Sequence, residues 1–303
     1  MTQGGIVFVG SINLDVTMRI DRFPEPGETV AGFDLAESGG GKSANQAHVS
    51  AKLGGAATLI VGVGADTTGT QLLDDAAHAG VDVSGCVTIP DEPTGRAFIE
   101  RDQSGENRIV IIAGANGALR PDHVKAERFY GKDVACFALE VPLDTVRHGL
   151  LEAKRHDVIT VLNPSPFAPE VVELLPWTDI LIVNVHESEQ LAALLGSDMN
   201  GLVLQHGISA VVVTAGVNGS TIYEGTRSKV VPTFAVDAVD TTGCGDAFTG
   251  AVATALAEGR SLSDAVGLGA AVGAYAAERV GAQPSYPTAA ELDAWLTTAR
   301  RRS

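Results

Sequence analysis

The residues best suited to chemistry lie late in the chain, in Asp240-Thr241-Thr242-Gly243-Cys244-Gly245-Asp246-Ala247-Phe248-Thr249-Gly250. A glycine-rich turn here runs straight into a helix. The backbone N–H groups of such a turn, and of the first helical turn, point outward without partners and can hold an anion. Asp246 stands at that anion site. A carboxylate near a helix start is also what the helix dipole favours. Beside an anion-binding turn, however, it is best explained by handling a proton or a metal next to a phosphate.

A second cluster, Gly39-Gly40-Gly41-Lys42-Ser43-Ala44-Asn45-Gln46, nearly fits a phosphate loop in which Ala36 replaces the first glycine. Its context argues otherwise. The preceding Gly32–Glu37 alternates polar and apolar residues instead of forming a buried strand, and no apolar strand ending in a Mg²⁺-binding Asp follows at the usual distance. Lys42 and Asn45, three apart at a helix start, share a face and could reach sugar hydroxyls. The bland alternative is a Gly-rich connector with a solvent lysine.

Asn13 and Asp15 leave the C-terminal end of a buried strand two residues apart, so they share a face in extended chain. Strand C-terminal ends are where ligands sit in α/β sheets. Asn184 and Glu187 follow another strand and offer oxygen ligands suited to a Mg²⁺ water shell, although the same spacing fits a helix capping box. Glu140 again sits at a strand end.

The elements that must position these groups are legible as apolar runs. Ile6–Gly10, Thr58–Gly64, Val134–Leu139, Val158–Leu162, Ile180–Val183 and Ala210–Thr214 read as buried strands. Helical stretches are expected at Ser43–Leu53, Asp66–Ala79, Leu143–Arg155, Ala168–Leu175, Glu187–Leu195, Asp246–Glu258, Ser263–Arg279 and Ala289–Arg301. Continuous apolar strands alternating with helices imply a mostly parallel sheet covered on both faces, a three-layer α/β/α arrangement. Asp15–Arg22, Thr29–Glu37, Arg96–Arg101 and Asn107–Ile112 have a different texture and suggest a small separate β-sheet. The last two are joined by a polar turn, Asp102–Glu106. The expected organisation is one α/β domain over residues 1–303, with a small β lid from about 15–37 and 94–113.

Glycine is abundant, 35 of 303 residues, which suits tight βα turns. With 37 acidic and 21 basic residues the net charge is −16, a field that repels nucleic acid and anionic membranes. The basic cluster Arg300-Arg301-Arg302 reads as a solvated tail. Three scattered cysteines, with no metal-ligand spacing, fit a reducing cytoplasm. The residues from Met1 lack a cationic leader, and no run approaches the ~18 apolar residues of a spanning helix.

Taken in order, these motifs resemble the ribokinase-like (PfkB-type) sugar kinase family over essentially the whole chain. Besides the clusters above, Pro26-Gly27-Glu28-Thr29, Ala113-Gly114-Ala115-Asn116, Asn163-Pro164-Ser165-Pro166 and Gly281-Ala282-Gln283-Pro284-Ser285 match its pattern. The resemblance implies ATP-dependent phosphorylation of a small sugar, D-ribose first, at its 5-hydroxyl. Deoxyribose, fructose or a nucleoside are alternatives. It casts Asp246 as catalytic base and Gly243–Gly245 as the anion hole. It implies a sugar site of Asn13, Asp15, Gly41, Lys42, Asn45 and Glu140. It implies an ATP site at Asn184, Thr214, Gly216, Gly219 and Gly245, with Glu187 on Mg²⁺ through water. A K⁺ site would use Asp240, Thr242, Ala276, Arg279, Gly281 and Ser285, several through backbone carbonyls. The lid is expected to pair with a second subunit in a homodimer.

Three departures from the family pattern bear on the sugar more than on the reaction. Ser43 replaces a usual glycine, Val185-His186 a usual Glu-Thr, and Cys244 a usual alanine. Two readings compete: a non-catalytic sugar- or nucleotide-binding module, which gains little from Asp246, and a phosphate-loop NTPase, which requires Lys42 to contact phosphate.

Overall fold

The computed structural model describes residues 4–103 and 106–301. Along the chain run β1 (Gly5–Val9), β2 (Asn13–Ile20), β3 (Gly32–Gly40), α1 (Lys42–Lys52), β4 (Ala56–Ile60), β5 (Gly62–Gly64), α2 (Thr67–His78), β6 (Val87–Ile89), β7 (Arg96–Arg101) and β8 (Asn107–Ile112). There follow β9 (Val134–Ala138), α3 (Leu143–Arg155), β10 (Ile159–Asn163), β11 (Ile180–Asn184), α4 (Val185–Leu195), α5 (Met199–His206) and β12 (Ala210–Thr214). The chain ends with β13 (Ser220–Glu224), β14 (Arg227–Val231), α6 (Cys244–Ala257), α7 (Leu262–Ala277) and α8 (Ala289–Leu296).

The central sheet has the order β14-β13-β12-β11-β10-β9-β1-β4, and β4, β1 and β9–β12 are parallel. Strand alternation explains its two cores. On β1, Ile6 and Phe8 face one way, against Ala47 of α1, Leu72 of α2, Val252 of α6 and Val266 of α7. Val7 and Val9 face the other way, against Val146 and Leu150 of α3, Leu191 of α4 and Leu202 of α5. Both faces are dry, as a parallel sheet requires, so three α/β/α layers follow.

A second sheet, β3-β2-β7-β8, stands beside the first, with β2 and β7 parallel and the outer pairs antiparallel. Three of its four strands follow the expected spans closely, and the third runs later, over Gly32–Gly40. The two residues of the expected polar turn, Ser104-Gly105, lie outside the described residues.

Several expectations need correction. Thr58–Gly64 is not one strand: β4 joins the main sheet, whereas β5 pairs only with β6. Ala168–Leu175 is not an α-helix but a 3₁₀ turn over Pro169–Glu173 followed by another over Leu175–Trp177, because Pro176 has no N–H with which to carry an α-helix onward. The helix expected to reach Arg301 stops at Leu296. The basic tail is not free: the Arg300 carbonyl accepts the Ala235 N–H at 2.8 Å, and the Arg301 guanidinium lies 5.2 Å from the Phe234 ring centroid. Two elements absent from the sequence reading are α5 and the antiparallel hairpin β13–β14.

Phe8 is fully buried on β1, between β9 and the edge strand β4 of the main sheet. Phe8→Ala is expected to lower the unfolding free energy by about 3–5 kcal/mol, the usual consequence of deleting a core ring and leaving a cavity. Urea denaturation should show the shift in midpoint with little change in slope.

Candidate active site

Side chains from four places in the sequence meet between the two sheets. The turn after β1 brings Ser11, β2 brings Asn13 and Asp15, the start of α1 brings Lys42 and Asn45, and the start of α6 brings Asp246. Gly41 makes the entry to α1 possible. Its φ is +88°, and a Cβ there would lie 2.6 Å from the Ile12 Cα. β3, which leads into this entry, is exposed over most of its length, unlike the buried strand that precedes a phosphate loop.

The polar groups are tightly ordered. Asp246 is 8% exposed, and its Oδ2 accepts the Asn45 Nδ2–H at 2.9 Å. Asn45 Oδ1 in turn accepts from Gln283 Nε2 at 3.1 Å. Asn13 Oδ1 accepts from Asn116 Nδ2 at 2.9 Å, and Asn116 also bonds both backbone groups of Ile12. Ser11 donates its hydroxyl to Glu140 and accepts the Lys42 N–H at 3.0 Å, so Glu140 is anchored at the same entry.

Electrostatics follow from this crowding. Burial, helped by Glu140 and Asp246, pushes the Asp15 carboxyl up to about 7 against the pull of Lys42. Burial also raises Asp246, opposed by Lys42 and by hydrogen bonding. For Lys42 burial acts downward, but Asp246, Glu140, Glu187 and Asp15 outweigh it, so the ammonium is held above its ordinary range. Lys42 is therefore a fixed positive charge among carboxylates.

Gly243 caps α6 in the left-handed region, at φ +72°, and no side chain caps the helix there. Its carbonyl accepts the Ala247 N–H at 2.8 Å and the buried Tyr286 hydroxyl at 3.1 Å. A Cβ at Gly243 would lie 2.4 Å from that hydroxyl. The turn is thus braced from outside, and within it the Cys244 N–H bonds the Thr241 carbonyl at 3.2 Å. Burial pushes the Cys244 thiol up to about 12, so it stays neutral beside this anion-binding position.

On the far side of the turn lies a largely apolar cavity of about 230 Å³. Thr214, Gly216, Gly219 and Gly245 all line it, together with Phe234 and Phe248. Asn184 and Glu187 do not line it. Asn184 neighbours Thr214 across β11–β12, and the two form the capping box that their spacing suggested, with Glu187 N–H donating to Asn184 Oδ1 at 2.8 Å. Beside the turn, Asp240 Oδ2 accepts the Gly281 N–H at 3.1 Å, which packs the Gly281–Ser285 loop against it. Ala276 and Arg279 belong to the same end of α7, where the Arg279 N–H bonds the Ala276 carbonyl.

The structure therefore gathers Asn13, Asp15, Gly41, Lys42, Asn45, Glu140 and Asp246 on one side of the turn. It places the cavity residues on the other. Ser11, Asn116 and Gln283 were missed as site residues although each stands inside a motif. Tyr286 and Arg101, whose guanidinium bonds Asp240, carried no local signal.

Comparison with known proteins finds relatives over nearly the whole chain. The family described as pfkB family carbohydrate kinase matches residues 3–289. The ribokinase of Haemophilus influenzae is 35% identical over 294 residues, covering 94% of this chain and 96% of its own. The crystal structure of the ribokinase from Thermotoga maritima superposes with a TM-score of 0.89 at 34% identity, covering 97% of this chain and all of that one. The Arabidopsis thaliana ribokinase complexed with ribose and ATP gives 0.85 at 28% identity, covering 97% of this chain and 99% of that one.

The raised Asp15 makes stability depend on pH with a definite sign. The fold prefers protonated Asp15, so its contribution is whole below about pH 4, where the unfolded chain's Asp is protonated too. It is lost as pH rises through about 7, a change on the order of 4 kcal/mol for a shift from 3.8 to about 7. Asp15→Asn is expected to raise the thermal midpoint of the unliganded protein at pH 8, with the gain shrinking toward pH 4. A uniform effect across that range would show that Asp15 does not titrate there.

Proposed function

The chain belongs to the pfkB family of carbohydrate kinases, and from that premise we propose that it transfers the γ-phosphoryl group of ATP to the 5-hydroxyl of D-ribose, giving D-ribose 5-phosphate and ADP. It is an ATP-dependent sugar kinase. The observation that carries the reading is Asp246: a buried carboxylate at an uncapped helix start, with a polyol-suited pocket on one side and an apolar cavity on the other.

Asn13, Asp15, Gly41, Lys42, Asn45 and Glu140 hold the sugar by its hydroxyls. Thr214, Gly216, Gly219 and Gly245 receive the nucleotide, with Asn184 at the cavity's edge. Asp246 takes the proton of the 5-hydroxyl as that oxygen bonds to the γ-phosphorus and the bond to the ADP oxygen breaks. The charge growing on the transferred group meets the N–H groups of the Gly243–Gly245 turn. Such a loose transition state needs positioning and neutralisation above all. Lys42 pulls the Asp246 carboxyl back toward its ionised form against burial, and does so without contacting phosphate.

Among the described residues no cluster of three or more His, Cys, Asp or Glu could cage a metal, so a divalent ion fits here as part of the nucleotide complex. Glu187, through water, would hold it, since its capping bond uses only Oε2. Mg²⁺, when bound, neutralises the β- and γ-phosphates. Asp240, Thr242, Ala276, Arg279, Gly281 and Ser285 form an all-oxygen set suited to K⁺, which would stiffen the turn without touching substrate.

The smaller sheet serves as the lid of a single domain, closing over the sugar and excluding water. Strand register puts Leu35, Val110 and Ile112 on one face of it, 63%, 64% and 50% exposed. An apolar stripe of this kind suits a second copy of the chain, and we read the protein as a homodimer through the lid. The three cysteines are free, which fits a cytoplasmic protein, and no described helix is long and apolar enough to cross a membrane.

A coupled assay across pentoses, hexoses and nucleosides should give D-ribose the highest kcat/KM; a nucleoside or hexose exceeding it would overturn the substrate. Asp246→Asn should keep sugar and nucleotide binding and lose about 10²–10⁴-fold in kcat, the usual worth of a positioned acid–base group. Turnover within a few-fold of the parent would remove Asp246 as the base. Val110→Glu should shift the light-scattering mass from dimer to monomer.

A further inference from the structure

Asp240 is engaged by more than the turn and the loop. Oδ1 accepts the Thr242 N–H at 3.0 Å and the Thr242 hydroxyl at 2.7 Å, and Oδ2 accepts the Gly281 N–H at 3.1 Å. Oδ2 also accepts Arg101 Nη1 at 2.9 Å, while Arg101 Nη2 reaches the Val239 carbonyl at 3.4 Å. Arg101 is the last residue of β7, in the smaller sheet. Register pairs Asp15 with Ala97 and Arg19 with Arg101, so parity puts Arg101 on the same face as Asp15. The face that carries a carboxylate to the sugar pocket therefore also carries a guanidinium to the phosphoryl turn.

The pair is shielded: the Asp240 side chain is 8% exposed and that of Arg101 25%. Burial alone would raise the Asp240 carboxyl, but the bonds from Thr242 and Gly281 and the charge of Arg101 outweigh it and hold it below the ordinary range. Asp240 is also the one carboxylate of the oxygen set assigned above to a monovalent cation. While Arg101 is docked, its charge is balanced, and an ion bound there would face the guanidinium across a shared oxygen.

We propose that Arg101 is a positioning residue that latches the lid to the phosphoryl turn through Asp240, and that it competes with a monovalent cation for that carboxylate. The competition, unlike the latch, rests on the cation reading. Because linkage is reciprocal, lid docking weakens cation binding by the factor by which the cation loosens the lid. The lid's position and the turn's rigidity are then set by one carboxylate.

The test compares the parent, Arg101→Met and Arg101→Lys in choline and in K⁺ at equal ionic strength. Hydrogen exchange of β2 and β7 reports the lid, exchange of α3 reports the intact fold, and thermal midpoints titrated with KCl report cation affinity. In choline the lid of Arg101→Met should exchange about 5–10-fold faster, with α3 unchanged. K⁺ should speed lid exchange in the parent but not in Arg101→Met. The K⁺ concentration for half-maximal stabilisation should fall about 5–10-fold in Arg101→Met, with Arg101→Lys between. Equal lid exchange in the parent and Arg101→Met overturns the latch. A loosened lid with unchanged K⁺ dependence overturns the competition alone. Midpoints indifferent to K⁺ in every protein overturn the cation reading and the competition with it, while lid exchange still decides the latch.

Discussion

Three carboxylates, Asp15, Glu140 and Asp246, share one ammonium, Lys42, in a pocket largely withdrawn from water. Left alone, such a cluster would not stay ionised, because burial disfavours charge and like charges repel. Lys42 opposes the upward push of burial on Asp15 and Asp246, and its place is fixed by the backbone. Its N–H is bonded to Ser11, and the Gly41 geometry before it admits no side chain. Repulsion within this pocket opposes folding of the free protein, and a polyol that bonds these oxygens relieves it. The pocket is therefore built for a ligand more than for stability, a common cost of functional sites.

The phosphoryl turn depends on a different kind of restraint. A helix start with no side-chain cap leaves backbone groups without partners and is costly unless its neighbours hold it. Tyr286 does so by bonding the Gly243 carbonyl, and Gln283, three residues earlier, holds Asn45, which holds Asp246. One short loop thus reaches both the anion-binding turn and the base. The two parts proposed to act together in phosphoryl transfer share a support, which ties the position of one to that of the other.

What was legible in the sequence divides along physical lines. Strands β1 and β9–β12 are buried on both faces, so they stand out as unbroken apolar runs. The hairpin β13–β14 does not, because Ser220–Glu224 and Arg227–Val231 form an edge with one wet face and mixed composition. Helix α5 had its signals, Asp198 at the N-cap and Gly207 at the end, but its eight residues give too few turns for a clear period. At the site, motif residues such as Asp246 and Lys42 could be picked out because a turn chemistry surrounds them. Tyr286 meets Gly243 across 43 residues and Arg101 meets Asp240 across 139, and no local pattern foretells such an approach.

The two halves of the site also explain how a chain with a net charge of −16 can receive a polyanion. The long-range field opposes ATP, so capture must come from groups that act at contact distance. The nucleotide cavity is lined mainly by apolar residues and glycines, with no acidic residue among them, so burial of a base there meets little charge repulsion. The N–H groups of the Gly243–Gly245 turn and the neutral Cys244 thiol add no negative charge where the phosphates end. Asp15, Glu140 and Asp246 lie on the side proposed for the sugar, where hydroxyls would meet them. The start of α6 is the border between these two environments. On the proposed reading a phosphoryl group crossing it would leave an apolar and dipolar surround for one supplied with a base, which puts the chemistry at the border.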